Sequence, residues 1–193
     1  MSFTTGGLFQ QESLKLAALY LEAGDWKKIR EKVISENLLQ ARTSSSLQRV
    51  CREVITRLET LRGAELELLV ETASQEQRYL LWIAVCRRYR FIADFAVEVI
   101  RERYMTLKTD LSPVDFDAFF NGKAIWRPEL DQIQPSTRNK LRQVLFKMLR
   151  EADLLTKNNT IAPAMLSPTF LKTIQRDDRR DALLFPAFES DIG

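Results

Sequence analysis

Side chains suited to binding an anion are concentrated between residues 136 and 157. This segment holds six Lys or Arg residues and only two acidic residues. Phosphate oxygens accept hydrogen bonds from positively charged donors, and forked donors such as Arg and Gln match the edges of bases. The candidate contact residues along the segment are Thr137, Arg138, Asn139, Lys140, Gln143 and Lys147. Their types and spacing predict contacts with the phosphates and bases of nucleic acid.

An amphipathic helix over residues 137–151 would position these side chains. Its apolar residues recur at the spacing of one helix face and are Leu141, Val144, Leu145, Met148, Leu149 and Ala152. Residues 153–156 and 160–162 then predict two short strands joined by a polar turn. This order is the ending of a winged-helix module, whose helix enters the DNA major groove while the hairpin contacts the backbone. The predicted wing adds Lys157 and Asn158 to the candidate contacts.

A second basic segment lies between residues 42 and 62, with five basic and two acidic residues. The whole chain carries a net charge of only +3, so the residues outside the two segments are net acidic. Arg42, Ser45, Arg49 and Arg52 would form one edge of a helix in this segment. A helix N-terminus with serine donors suits phosphate. An N-cap followed by an ordinary solvated face explains the same residues equally well.

The composition argues against catalysis. The chain contains no histidine, which removes the commonest general base and metal ligand. Cys51 and Cys86 form no CxxC pair and lie in apolar helical patterns, so we expect buried thiols in a reducing compartment. Gly122-Lys123 lacks the upstream Gly and the following Ser or Thr of a P-loop. The acidic pairs at 115/117 and 177/178 are not followed by a Lys or Glu at the spacing found in nucleases. We therefore predict that the protein is not an enzyme and uses no metal and no cofactor.

The periodicity of the chain predicts a compact, mainly α-helical protein. The predicted helices outside the basic helix cover residues 11–23, 26–36, 44–62, 65–73, 76–89, 91–107, 114–120 and 167–174. Two helix-turn-helix-like units are expected, near residues 11–62 and 112–165. The expected division is an N-terminal helix-turn-helix-like unit (1–62), a central helical core (63–111), a C-terminal winged-helix-like unit with a short β-hairpin (112–174) and a charged tail (175–193). An apolar cluster at 183–188 can dock the tail onto the body.

No segment of the sequence suggests export or membrane insertion. The N-terminal residues lack the basic start and apolar stretch of a signal peptide. The longest apolar run, residues 79–86, is far shorter than the roughly 20 residues of a membrane-spanning helix. Hydrophobic residues make up 45% and charged residues 28% of the chain, the balance of an ordinary globular protein. We expect a cytoplasmic protein that does not contact a membrane.

Three stretches of the sequence carry a family resemblance. They are residues 36–43 (Glu-Asn-Leu-Leu-Gln-Ala-Arg-Thr), residues 78–89 (Arg-Tyr-Leu-Leu-Trp-Ile-Ala-Val-Cys-Arg-Arg-Tyr) and residues 137–155. Together they resemble the BrxA family, a small component of bacteriophage-exclusion (BREX) defence systems, from residue 3 to residue 168. The resemblance implies a non-enzymatic accessory protein that binds double-stranded DNA and acts beside the other BREX components, which include a methyltransferase, ATPases and a phosphatase-like protein.

Alternatives to DNA binding stay open at this point. The BrxA family has been likened to NusB, an all-helical RNA-binding antitermination factor, which keeps RNA as an alternative ligand. The basic helix can also be a core helix with a solvated basic face. Winged-helix folds serve as protein-interaction modules too, so the basic faces can belong to an adaptor that docks an acidic partner protein. The oligomeric state is equally open.

Overall fold

The structure, a computed structural model, describes residues 3–175, 179–188 and 190. It is mainly helical, which confirms the fold class in its coarser form. The chain forms two compact units, which we call the N-terminal unit (residues 8–88) and the C-terminal unit (residues 1–7 and 89–193). The four segments expected from the sequence divide the chain elsewhere and stay a prediction. No helix within the described ranges is long and apolar enough to cross a membrane.

Five helices build the N-terminal unit, and short polar caps separate them. They are α1 (Gln10–Ala23), α2 (Trp26–Ser35), α3 (Ser44–Leu58), α4 (Gly63–Glu71) and α5 (Ser74–Arg88). Gly24 ends α1 at a φ of 66°, a left-handed conformation that glycine adopts without strain. The Asp25 carboxylate then accepts hydrogen bonds from the first-turn N–H groups of α2. These local signals explain why the first two helices agree with prediction to within a residue.

An apolar stripe along α3 forms part of the core of the N-terminal unit. Helix α3 packs against α1, α2 and α5. Four positions of the stripe are buried along α3, namely Leu47, Cys51, Val54 and Leu58, and Leu61 beyond the helix is also buried. Every residue of α5 from 79 to 86 is buried as well. The spacing of apolar residues therefore identified the helix faces that exclude water.

A buried carboxylate connects α4 to α5. Glu65 has no solvent exposure, and it accepts hydrogen bonds from Arg87 Nη1 at 2.6 Å and Nη2 at 2.7 Å. The backbone N–H of Arg62 also donates to it at 2.8 Å. A buried charge is tolerated only when it is paired and hydrogen-bonded. The pair therefore fixes α4 against α5, and it removes one arginine from the cations available to a ligand.

The C-terminal unit contains the basic helix. Its elements are α6 (Arg90–Phe95), a π-helical segment (Ala96–Arg101), α7 (Glu102–Met105), α8 (Pro113–Ala124), α9 (Pro128–Asp131), α10 (Pro135–Glu151), α11 (Pro168–Gln175) and a 3₁₀ turn (Arg179–Leu184). A capping box starts α8, in which the Ser112 hydroxyl accepts from Asp115 N while the Asp115 carboxylate accepts from Ser112 N.

Phenylalanine rings fill the interior between α6 and α8. The Phe91 and Phe119 ring centroids lie 5.1 Å apart in an edge arrangement, and those of Phe95 and Phe119 lie 5.2 Å apart. Phe120 and Phe116 complete the cluster on α8. Edge-to-face pairs at this separation add to the free energy gained by burial alone. The cluster holds α8 in place, and α8 in turn supplies the carboxylate that contacts α10.

The predicted β-hairpin after α10 is wrong in that form, because no strand occurs in the described ranges. The pairing is reduced to an isolated bridge between Leu155 and Ile161, with a second one between Asp110 and Thr160. Two features limit the extended run: Asp153 adopts a φ of 57°, and Pro163 lacks the N–H that a longer ladder needs. Of the predicted winged-helix ending, the structure shows the helix and a tight turn after it but not, within the residues it describes, the two strands of a wing.

The tail docks onto the C-terminal unit through its apolar cluster. Phe185 has no solvent exposure, and its ring packs edge-on against Phe170 of α11 with centroids 6.0 Å apart. The Tyr104 and Phe188 rings are 5.0 Å apart. Burial of the Phe170 and Phe185 rings explains why residues 183–188 pack against the body of the unit.

Replacing Glu65 with alanine should lower the free energy of unfolding by about 3–5 kcal/mol, because the half-buried Arg87 guanidinium loses the carboxylate that neutralises it. Glu67→Ala is the matched control, since Glu67 lies on the same helix with its side chain exposed. It should change the stability by less than about 0.5 kcal/mol. Chemical denaturation followed by circular dichroism measures both variants. An equal effect of the two substitutions would contradict the role given to the buried pair.

Candidate nucleic-acid interface

The outer face of α10 carries most of the predicted contact residues. Asn139, Lys140, Gln143 and Lys147 are exposed, as is Thr137 in the first turn. The opposite face is buried at all six predicted apolar positions, namely Leu141, Val144, Leu145, Met148, Leu149 and Ala152. The helix and its two faces are thus confirmed, while the binding role of the exposed face stays a prediction. We call the exposed row of polar and basic side chains the α10 stripe.

Arg138 does not belong to the α10 stripe, although its position near the start of the helix predicted a contact with nucleic acid. Its Nε donates to Asp117 Oδ1 at 2.9 Å, its Nη1 donates to Asn121 Oδ1 at 2.8 Å, and its Nη2 donates to Asp117 O at 3.0 Å. The guanidinium also lies 4.5 Å from the Phe120 ring centroid. These contacts commit the side chain to joining α10 to α8, so it is a poor candidate for reading a base.

Asp117 holds a second arginine of α10 in the same way. Arg142 Nη1 donates to Asp117 Oδ2 at 2.7 Å, and its Nη2 donates to Asn139 Oδ1 at 3.2 Å. One carboxylate thus contacts two guanidinium groups, and the three side chains together keep a net positive charge. Asn139 retains its amide N–H donors because only its oxygen is used. The residue pattern alone did not identify Arg142 as part of the site, since its position falls beside the stripe.

The turn that was predicted as a wing presents Lys157 and Asn158 to solvent. Thr156 N donates to Thr160 O at 2.8 Å and closes the turn. Asn159 occupies a left-handed conformation with a φ of 60°, and its side-chain oxygen accepts from Arg150 Nη2 at 2.6 Å. The turn is therefore tied to the end of α10, and its two exposed polar side chains lie in the same unit as the α10 stripe.

The N-terminal unit has its own basic edge at the start of α3. Thr43 is the N-cap, and its hydroxyl accepts from Ser46 N at 3.2 Å. The serine run that follows therefore forms the first turn of α3. The predicted contacts Arg42, Ser45, Arg49 and Arg52 are all exposed.

Side chains of α2 extend this edge. Trp26, Lys27, Arg30 and Arg52 line a surface cleft of about 260 Å³, together with Ile55, Thr56 and Glu59. The Trp26 ring stacks on Tyr20 at a centroid distance of 4.0 Å. Sequence reasoning missed Lys27 and Arg30, although the basic run after Asp25 could have drawn attention to them. The α3 edge therefore gains two cations that only the fold brings beside Arg52.

No cluster of His, Cys, Asp or Glu suited to a metal ion occurs in the part of the chain that the structure describes. Both cysteines are buried. Burial raises the pKa of the Cys51 thiol, an effect that the nearby Arg30 charge partly opposes. A raised pKa disfavours the reactive thiolate, so Cys51 has the character of an inert core residue.

These features define a mainly helical protein in which each unit exposes its own basic surface. The chain belongs to the BrxA family, whose model matches residues 1–178. It is 26% identical over 180 residues to the BREX protein BrxA of Escherichia coli O9:H4 (strain HS), covering 92% of this chain and 84% of that one. It is 28% identical over 156 residues to the BREX protein BrxA of Paramagnetospirillum magneticum (strain AMB-1), covering 80% and 78%. The family inferred from the three sequence stretches is thereby confirmed.

A solved structure has the same fold. The crystal structure of an uncharacterized protein from Magnetospirillum magneticum matches with a TM-score of 0.82. The alignment covers 98% of this chain and 96% of that chain at 21% sequence identity. At this identity the likeness shows the fold alone.

Arg138→Ala should lower the free energy of unfolding by about 1–2 kcal/mol, because the acceptors on Asp117 and Asn121 lose their donor. Lys140→Ala, on the exposed side of the same helix, should change it by less than about 0.5 kcal/mol. Urea denaturation of the two variants tests the difference. Equal stabilities would mean that the Arg138 side chain is free in solution and available to a ligand after all.

Proposed function

We propose that this protein is a non-enzymatic accessory component of a BREX phage-defence system that binds double-stranded DNA. Its membership of the BrxA family supports the defence role, since its relatives are named BREX protein BrxA. The α10 stripe supports DNA as the ligand. This stripe is the single observation that carries the proposal, because it aligns positive and amide side chains along one exposed helix face.

The α10 stripe has the donors that a duplex requires. Lys140 is exposed and has no acidic partner among the described residues, so its charge is available to a phosphate. Lys147 lies 3.6 Å from Glu151 and 3.4 Å from Gly6 O, contacts that a phosphate can replace. Gln143 and the amide of Asn139 supply donors for base edges. With 17 residues, α10 is about 25 Å long, enough to lie along a major groove.

The start of α10 offers backbone donors as well. Gln134 caps the helix without a side-chain hydrogen bond, and Pro135 occupies the first turn. The N–H groups of Ser136 and Thr137 therefore lack an acceptor in the described structure, and both residues are exposed. Free N–H groups at a helix N-terminus bind phosphate oxygens, helped by the helix dipole. In this proposal α10 acts as the recognition helix, and the turn with Lys157 and Asn158 contacts the DNA backbone in place of a wing.

The α3 edge is proposed as a second phosphate-binding surface. Arg42, Arg49 and Arg52 have no acidic partner among the described residues. The side-chain oxygens of Thr43 and Ser45 lie 3.2 Å apart in the same first turn. Long, flexible cations without fixed partners suit sequence-independent contacts with phosphates, since they neutralise charge without requiring one geometry.

Binding of a labelled duplex of about 25 base pairs, followed by fluorescence anisotropy across a salt series, tests the proposal. If about five phosphates are neutralised, log affinity should fall against log salt with a slope of about −4 to −5. The double variant Lys140→Glu/Lys147→Glu should weaken binding and make the slope less steep by about 2. Arg49→Glu/Arg52→Glu should act similarly if α3 also contacts the duplex.

The matched control is Lys32→Glu/Lys172→Glu, which makes the same change of charge at exposed lysines outside both basic segments. It should retain most of the affinity. Equal losses in this control and in the α10 variant would indicate a net-charge effect and contradict a localised interface. Preference for a matched RNA would instead favour the NusB-like alternative. Absence of binding to every nucleic acid would favour an adaptor that docks a protein.

A further inference from the structure

A second surface cleft of the C-terminal unit lies at the edge of the α10 stripe. It has a volume of about 370 Å³ and is lined by Pro113, Arg142, Gln143, Phe146, Arg150 and Asn159. Of its lining residues, Gln143 alone belongs to the α10 stripe. Its volume falls within the range of about 300–1,000 Å³ that is typical of small-molecule sites.

Two arginines reach the cleft from the same side of α10. Arg142, Phe146 and Arg150 follow one another at intervals of four residues, so they lie in one row along the helix. The Arg142 and Arg150 backbones are about 12 Å apart along the axis. Two side chains of this length can therefore approach one small anion from opposite ends of the row, above Phe146.

Both arginines are oriented before any ligand arrives. Asp117 and Asn139 accept from the two terminal nitrogens of Arg142, and its Nε has no acceptor in the described structure. Asn159 Oδ1 accepts a hydrogen bond from Arg150 Nη2, whereas Nε and Nη1 of Arg150 have no acceptor among the described residues. Held guanidinium groups lose less conformational entropy on binding than free ones, and their planar forks match phosphate oxygens.

The charge and polarity of the lining also indicate a phosphate ligand. No acidic residue lines the cleft, and the two arginines are its charged members. The amides of Gln143 and Asn159 add polar groups, whereas Pro113 and Phe146 provide an apolar wall. Asp117 is the acid bonded to Arg142, and it is already shared with Arg138. The lining therefore combines two guanidinium groups with a small apolar wall, in which Phe146 is almost fully buried and the Arg150 guanidinium lies 6.0 Å from its ring centroid.

We propose that this cleft binds a nucleoside monophosphate unit, with the phosphate held between Arg142 and Arg150 and the sugar and base lying toward Pro113 and Phe146. The unit can be a free nucleotide or the phosphorylated end of a nucleic-acid strand, because the two share this chemistry. The inference goes beyond the proposed function, since Gln143 is the one residue that the cleft lining shares with the α10 stripe and the two arginines are not part of that stripe. It would give the protein a site for one nucleotide beside its duplex-binding face.

Isothermal titration with deoxyadenosine 5′-monophosphate, deoxyadenosine and a short 5′-phosphorylated single strand tests this site. The nucleotide or the phosphorylated strand should bind, and deoxyadenosine should not, because the phosphate provides the main contact. Arg150→Ala should weaken binding about tenfold or more, since a charge-assisted hydrogen-bonded contact is lost. Gln143→Ala, a neutral change in the same lining, should weaken it less. Lys172→Ala, on α11, should bind as the unchanged protein does.

The outcomes separate this inference from the duplex proposal when the same proteins are titrated with duplex DNA. Nucleotide binding that requires Arg150, without duplex binding, supports the cleft and contradicts the proposed function. Duplex binding with no affinity for the nucleotide or the phosphorylated strand overturns the cleft alone. Equal affinity of deoxyadenosine and its monophosphate also overturns it, as does undiminished binding by Arg150→Ala. Binding by the phosphorylated strand only, with the same Arg150 dependence, supports the cleft and identifies a strand end as the source of the phosphate.

Discussion

A single carboxylate, that of Asp117, determines how far the two arginines in the first half of α10, Arg138 and Arg142, are available to a ligand. It lies on α8 and bonds two arginines of α10, so it joins two helices that the short helix α9 separates along the chain. Arg138 is fully engaged by this contact, whereas Arg142 keeps a free edge. The phenylalanine cluster that holds α8 therefore controls the positions of charged groups on α10. Packing and electrostatics are coupled here through one side chain.

In the N-terminal unit, the Glu65 carboxylate likewise binds an arginine of a neighbouring helix. This buried carboxylate accepts hydrogen bonds from the Arg87 guanidinium and from the backbone N–H of Arg62. The charge of Arg87 is therefore used within the fold and is not available to a ligand. Acids that are buried beside arginines have a structural role because desolvated charges require partners. The cations that remain, along α10 and at the α3 edge, are exposed, and exposed cations cost little to pair with phosphate. The protein therefore has local basic surfaces although its net charge is only +3.

The α10 stripe and the cleft beside it differ in how their donors are held. Lysine side chains are long and flexible, which suits contacts of the stripe with a continuous phosphate backbone. The arginines of the cleft are oriented by Asp117 and Asn159, which suits one phosphate in one geometry. Both surfaces belong to the same helix, and a rotation of roughly a quarter turn around its axis separates them. A single amphipathic helix can in this way present a general and a specific anion surface.

The sequence by itself determined the family, the helical class and the faces of the main helices. Apolar spacing identified the buried rows of α3 and α10, and Asp25 and Ser112 set helix starts, because caps and periodicity act within a few residues. Only the tertiary structure decided which arginines are free. Asp117 and Arg138 are 21 residues apart, and local patterns carry no information about such pairs. The absence of the predicted strands has a similar origin, because the turn after α10 bonds to residues 109–111 rather than extending its own ladder.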